Sequence, residues 1–163
     1  MRARSGGLFV GTPSAESGIG VLLEALDLFP GARVEILRRQ GDIHQRMRAA
    51  AYLVLPSLNC DGQPPRVLVE AFACGLPVIA SRLAGLAELV EPGRNGLLFD
   101  PGSAHDLARR LAWAEAFPEK MRQMGECAQA DYHARFVADW GWQRLYGERR
   151  RSGFRPGAKN ALS

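Results

Sequence analysis

The sequence predicts an α/β fold, a doubly wound Rossmann-like parallel sheet, and three observations carry that prediction. Short apolar runs fit for buried strands recur at residues 8–11, 52–55, 78–80 and 96–99. Between them the apolar residues return at helical spacing, and the connections are short and rich in glycine, proline and serine. Strands alternating with helices through short connections run parallel, with the helices covering both faces. A length of 163 residues suits one domain, because domains most often hold about 100–150 residues. That domain is expected at residues 1–148, followed by a basic tail at 149–163 that is expected to be disordered.

Each element has its own local reason. Gly11, Thr12, Pro13 and Ser14 end the first strand, and Ile19, Leu22, Leu23 and Leu26 then form a helix that Pro30 and Gly31 stop. Val34 and Ile36 alternate along a strand at 33–37, a helix is expected at 43–51, and Pro56 and Ser57 close the strand 52–55. After a polar, proline-rich loop at 58–65 come a helix at 66–74, a break at Gly75, Leu76 and Pro77, and the strand 78–80. A short helix at 86–90 and the strand 96–99 follow. Ser103 is the expected N-cap of the next helix, with Asp106 at its positive end, and Pro118 opens another at its first turn.

Composition excludes several function classes. Hydrophobic residues make up 47% and charged ones 23%, the balance of a globular protein. The net charge of +4 comes largely from arginine, with one cluster at Arg149, Arg150, Arg151 and Arg155. No interleaved aromatic motif accompanies it, so a nucleic-acid partner is not expected. The cluster reads as a solvated tail or as a patch attracted to anionic lipid or a phosphorylated ligand, so membrane contact is at most peripheral. Cys60, Cys74 and Cys127 are odd in number and unpaired in spacing, which indicates neither disulfides nor a zinc site. No signal-peptide core and no apolar run of bilayer length occurs, and a cytoplasmic location is expected.

The chemistry concentrates between Leu53 and Asp100. Pro56-Ser57, Asp61-Gly62 and the run from Glu70 through Ala71, Phe72, Ala73, Cys74, Gly75, Leu76, Pro77, Val78, Ile79 and Ala80 to Ser81 resemble the donor-binding signature of family-four GT-B glycosyltransferases. The resemblance continues through Gly85, Glu88, Gly93, Asn95-Gly96, Asp100-Pro101-Gly102 and Met124-Gly125. It implies the C-terminal, nucleotide-sugar-binding half of the GT-B fold. It also implies transfer, with retention, from a UDP or GDP sugar to a glycan or lipid-linked acceptor, with no metal or other cofactor. Asp61 and Glu70 are then the catalytic carboxylates, Asp61 facing the sugar or its phosphate and Glu70 accepting from the ribose. An ionised carboxylate has lone pairs enough to accept from two vicinal hydroxyls at once. Gly11, Thr12, Ser17, Ser57, Gly62, Arg66, Val67 and Leu68 complete the donor-binding set, with amides at the start of the helix directed at the diphosphate.

Plainer roles stand beside these. Glu70 could be a helix-surface glutamate, Asp61 a loop residue making an Asx-turn, Ser17 a helix N-cap and Arg66 a solvent-facing arginine. His44, His105 and His133 read as surface histidines, Trp113, Trp140 and Trp142 as packing residues, and Cys74 as a small buried hydrophobe.

The chain also departs from the family's pattern. Eight residues, not seven, lie between Asp61 and Glu70. Thr12 and Ser17 stand where the family has an arginine and a lysine that clamp the diphosphate, and Pro64 and Pro65 have no N–H to offer phosphate. Residues 38–42 replace a helix and strand that in the family contact the nucleobase, so the sheet is expected to be shortened by one such unit. The family's acceptor-binding domain has no counterpart in the chain, and the resemblance implies a separate acceptor-domain partner, encoded nearby. The alternatives are a catalytically inactive nucleotide-binding module and a truncated fragment.

Overall fold

A computed structural model describes residues 4–39, 41–59 and 65–137. The expected tail at 149–163 lies outside the described residues, as do Cys60, Asp61, Gly62, Pro64, Trp140 and Trp142. Five parallel strands form one sheet in the order β2-β1-β3-β4-β5. They are β1 (Gly7–Val10), β2 (Val34–Leu37), β3 (Tyr52–Leu55), β4 (Val78–Ser81) and β5 (Gly96–Phe99). The register pairs Gly7 with both Val34 and Tyr52, Leu53 with Val78, and Val78 with Gly96. Strands β1, β3 and β4 are buried along their whole length, as covered parallel strands must be.

The side-chain alternation of the strands builds two cores. Leu8, Val10, Leu53, Leu55, Val78 and Ala80 face one way, toward α2 (Ile43–Ala49), α3 (Arg66–Ala73) and α4 (Ala84–Ala87). Phe9, Tyr52, Val54, Ile79 and Phe99 face the other, toward α1 (Ile19–Leu28) and α5 (Ala104–Ala116). The split follows from handedness. The chain steps outward from β1 to β2 with α1, and every later crossover runs back the other way, so right-handed connections carry α2, α3 and α4 to the opposite face. A last helix, α6 (Pro118–Tyr132), contributes Met121 and Met124 to one core and Ala128 to the other, and a π-helical turn at His133–Val137 follows it.

The strands and most helices lie within one or two residues of their sequence expectation. Ser103 Oγ accepts from the Asp106 amide at 3.1 Å, and Pro118 occupies the first turn of α6. One helix shifts: α4 begins at Ala84 rather than Leu86 because the Leu83 carbonyl already accepts from the amides of Leu86 and Ala87. Leu86 and Val90 still reach the core. Among the described residues no helix or strand lies between β2 and α2, and β2 is an edge of the sheet.

Candidate functional site

The strand order locates a crevice before any side chain is considered. Connections leave β1 and β3 in opposite directions, so the loops after these two neighbouring strands diverge at their carboxyl ends, where open α/β sheets bind ligands. Gly11, Thr12 and Ser17 lie on the first of those loops and Ser57 on the second. The loops are joined at Gly18, whose φ of 77° is left-handed and where a Cβ would stand 1.8 Å from the Pro56 carbonyl oxygen. The Leu58 amide adds a hydrogen bond to the Glu16 carbonyl at 2.9 Å.

Ser17 is not the N-cap residue of α1; that position belongs to Gly18. The Ser17 hydroxyl donates to the Ser14 carbonyl at 2.9 Å and accepts from the amides of Ser14 and Ile19. It therefore braces the loop. Thr12 is exposed, and Gly11 donates its amide to the Leu37 carbonyl. At the start of α3 the chain enters through Pro65, which sits at the N-cap. The Pro65 carbonyl accepts from the amides of Leu68 and Val69, while the Val67 amide is too early in the helix to have an acceptor within it. Leu68 lies fully in the core.

Glu70 is the centre of the arrangement. Its position one turn into α3 buries it to 8% exposure, between core residues Val69 and Ala71, so a surface glutamate is excluded. Oε2 accepts from Arg39 Nη2 at 2.6 Å, lies 3.2 Å from His44 Nε2, and has Arg66 Nε 3.5 Å away. Oε1 is buried without a hydrogen-bond partner among the described residues. Burial alone would raise the carboxyl's pKa. The Arg39 hydrogen bond and charge, followed by His44 and Arg66, outweigh it and hold Glu70 below its ordinary range. The site thus holds an ionised carboxylate with one oxygen engaged by cations and one buried oxygen whose accepting capacity is unused.

Two of these partners escape sequence reasoning. Arg39 follows β2 and His44 opens α2, 31 and 26 residues from Glu70, and nothing local links them. Arg39 lies in the segment 38–42, and His44, expected at the surface, lies against the central carboxylate with 45% of its side chain exposed. The one available signal is positional: both residues flank a short connection at the same sheet edge. Cys74 is buried, as expected, and its thiol pKa is raised chiefly by that burial. Two concave regions lie at the opposite, amino edge of the sheet: one near Asn95 and Asp131, and an open groove of about 840 Å³ near Gly7, Arg33 and Glu115. No helix among the described residues is long and apolar enough to cross a membrane.

Fold and site together define a doubly wound α/β domain that presents a charged carboxylate at the ligand-binding edge. Residues 8–131 match the family model for glycosyl transferases group 1, and the chain belongs to that family. It is 30% identical over 145 residues to the uncharacterized glycosyltransferase MJ1178 of Methanocaldococcus jannaschii, covering 74% of this chain and 41% of that protein. It is 36% identical over 105 residues to a D-inositol 3-phosphate glycosyltransferase of Streptomyces bingchenggensis, covering 64% of this chain and 22% of the relative. The chain therefore spans well under half the length of these relatives. Among solved structures, Anabaena HepE in complex with UDP superposes with a TM-score of 0.73 at 27% identity, over 82% of this chain and 45% of HepE. The C-terminal domain of a group 1 glycosyl transferase, LpcC of Francisella tularensis, shares the fold with a TM-score of 0.65 at 16% identity, over 83% of this chain and 88% of that domain.

Proposed function

We propose that this chain is the nucleotide-sugar-binding part of a glycosyltransferase. It holds a UDP or GDP sugar with the ribose on Glu70, and the sugar passes with retention to a glycan or lipid-linked acceptor supplied by a separate acceptor domain. The observation that carries this reading is Glu70 itself, a buried, ionised carboxylate with an unpartnered oxygen beside the strand-order switch. The UDP and UDP-glucose complexes of HepE, whose likeness covers 82% and 80% of this chain, support the choice of ligand. In this reading Asp61, from the segment before α3, faces the sugar or its phosphate. Gly11, Thr12, Ser17, Ser57, Gly62 and Arg66 line the donor, and the Val67 and Leu68 turn approaches the diphosphate. No metal takes part, so transfer is expected to persist in a chelator.

Calorimetric titration of the chain with UDP and GDP tests the reading. Binding of one of them is expected, weakened about ten- to hundredfold in Glu70→Gln, because one charge-assisted hydrogen bond contributes roughly 1.5–3 kcal/mol. No heat at millimolar nucleotide would overturn it. Transfer from a UDP or GDP sugar is expected only when an acceptor-domain partner is added, since positioning of the second reactant supplies much of the rate.

A second reading, a nucleotide-binding module without catalysis, is favoured by one feature. The β1–α1 loop, residues 11–18, carries Glu16 as its only charged residue and so offers no cation to a departing diphosphate. It predicts the same titration and no transfer with any partner.

A further inference from the structure

We propose that Arg39 is a phosphate ligand of the bound nucleotide and that, with Glu70 Oε1, it makes the site selective for a phosphorylated ribose over a bare one. The proposal rests on the reading of Glu70 as the ribose carboxylate and adds the residue that would recognise the anion beside it. Arg39 reaches Glu70 through a single nitrogen, Nη2, although a guanidinium carries five N–H donors in a planar fork. Nη1 and Nε have no partner among the described residues, and 37% of the side chain is exposed at the carboxyl edge of the sheet. A fork anchored on a carboxylate by one arm keeps its other donors oriented, which is the arrangement that suits phosphate oxygens.

Glu70 presents the complementary half. Its Oε2 is held by Arg39 and His44, which fixes the plane of the carboxylate, and its Oε1, buried and without a partner among the described residues, is the acceptor left for a hydroxyl donor. An acceptor and a set of cationic donors side by side match a ligand that carries hydroxyls and, a few bonds away, an anionic group. A nucleoside offers only the first; a nucleoside phosphate offers both. Arg39 can bridge Oε2 and a phosphate at once, so ligand entry does not require the ion pair to break.

Titrations of wild type, Arg39→Gln and Arg38→Gln with uridine and UDP, followed by NMR so that weak binding is read, test this. Arg38 is the control, an exposed neighbour of equal charge. The expected result is a loss of about tenfold or more in UDP affinity for Arg39→Gln, with uridine changed less than about twofold and Arg38→Gln near wild type. Thermal melts establish that the variants are folded. An unchanged ratio of UDP to uridine affinity in Arg39→Gln overturns the proposal and makes Arg39 a partner of Glu70 alone. Tighter binding of both ligands also overturns it and makes Arg39 a plug. If wild type binds neither ligand, the ribose reading itself fails and this proposal with it.

Discussion

Glu70 carries a second consequence, in the pH dependence of stability. Its carboxyl is shifted down in the folded protein by Arg39, His44 and Arg66 against the opposing effect of burial. A carboxyl depressed on folding contributes stability that is fully present above its unfolded value, ordinarily 4.5, and is lost as the pH falls through the lower folded value. Glu70→Gln cannot titrate. Urea unfolding from neutral pH downward should therefore show wild type losing stability relative to Glu70→Gln once the pH drops below about 4.5. A pH-independent difference between the two would mean that Glu70 is not ionised against its three neighbours. At this scale the sequence exposes only part of the site. Glu70 is legible because it stands in a run of buried residues, whereas Arg39 and His44 become its partners only when the turn after β2 meets α3 in space. Spacing along the chain carries no information about such a meeting.

Elements are more legible, because their signals are local. Tyr52 to Leu55, Gly96 to Phe99 and the start of α1 at Ile19 fall where the apolar pattern places them. Caps and prolines mark α5 and α6. The one displaced helix, α4, spans four residues, too few for periodicity to fix its frame, and a backbone carbonyl at Leu83 sets its start instead. Ser103 is a sharper case, since its side chain satisfies the Asp106 amide while Asp106 Oδ2 accepts from the Asp100 amide at 2.8 Å. Ser103→Ala would leave that first-turn donor without its acceptor and is expected to cost about 1 kcal/mol. Thermal or urea denaturation reads the loss, and Ser103→Asp should restore most of it by accepting the same bond and by placing negative charge at the positive end of the helix. An alanine variant as stable as wild type would mean that water satisfies the Asp106 amide equally well.

At the scale of the molecule, the two cores on opposite faces of the sheet share more than the strands. Helix α6 begins against α5 and the α1 side, with Met121 and Met124 buried there, and ends on the α3 side, with Ala128 buried in the second core. It crosses between them at Gly125, where a Cβ would stand 2.2 Å from the Gly75 carbonyl oxygen, in the turn that leads from α3 into β4. That oxygen is backbone and cannot swing aside. Gly125→Ala must then lift the helix or displace the turn, an overpacking change expected to cost about 1–3 kcal/mol. Each ~1 kcal/mol should lower the Tm by about 2–4 °C in a chain of this size. The more informative readout is whether the cores fail together. If α6 ties them into one cooperative unit, the variant melts in a single transition, and hydrogen exchange speeds up alike in α1 and α5 on one face and in α2 and α3 on the other. Faster exchange confined to α2 and α3 would show that the Glu70 face opens independently and that α6 is held by its first half alone.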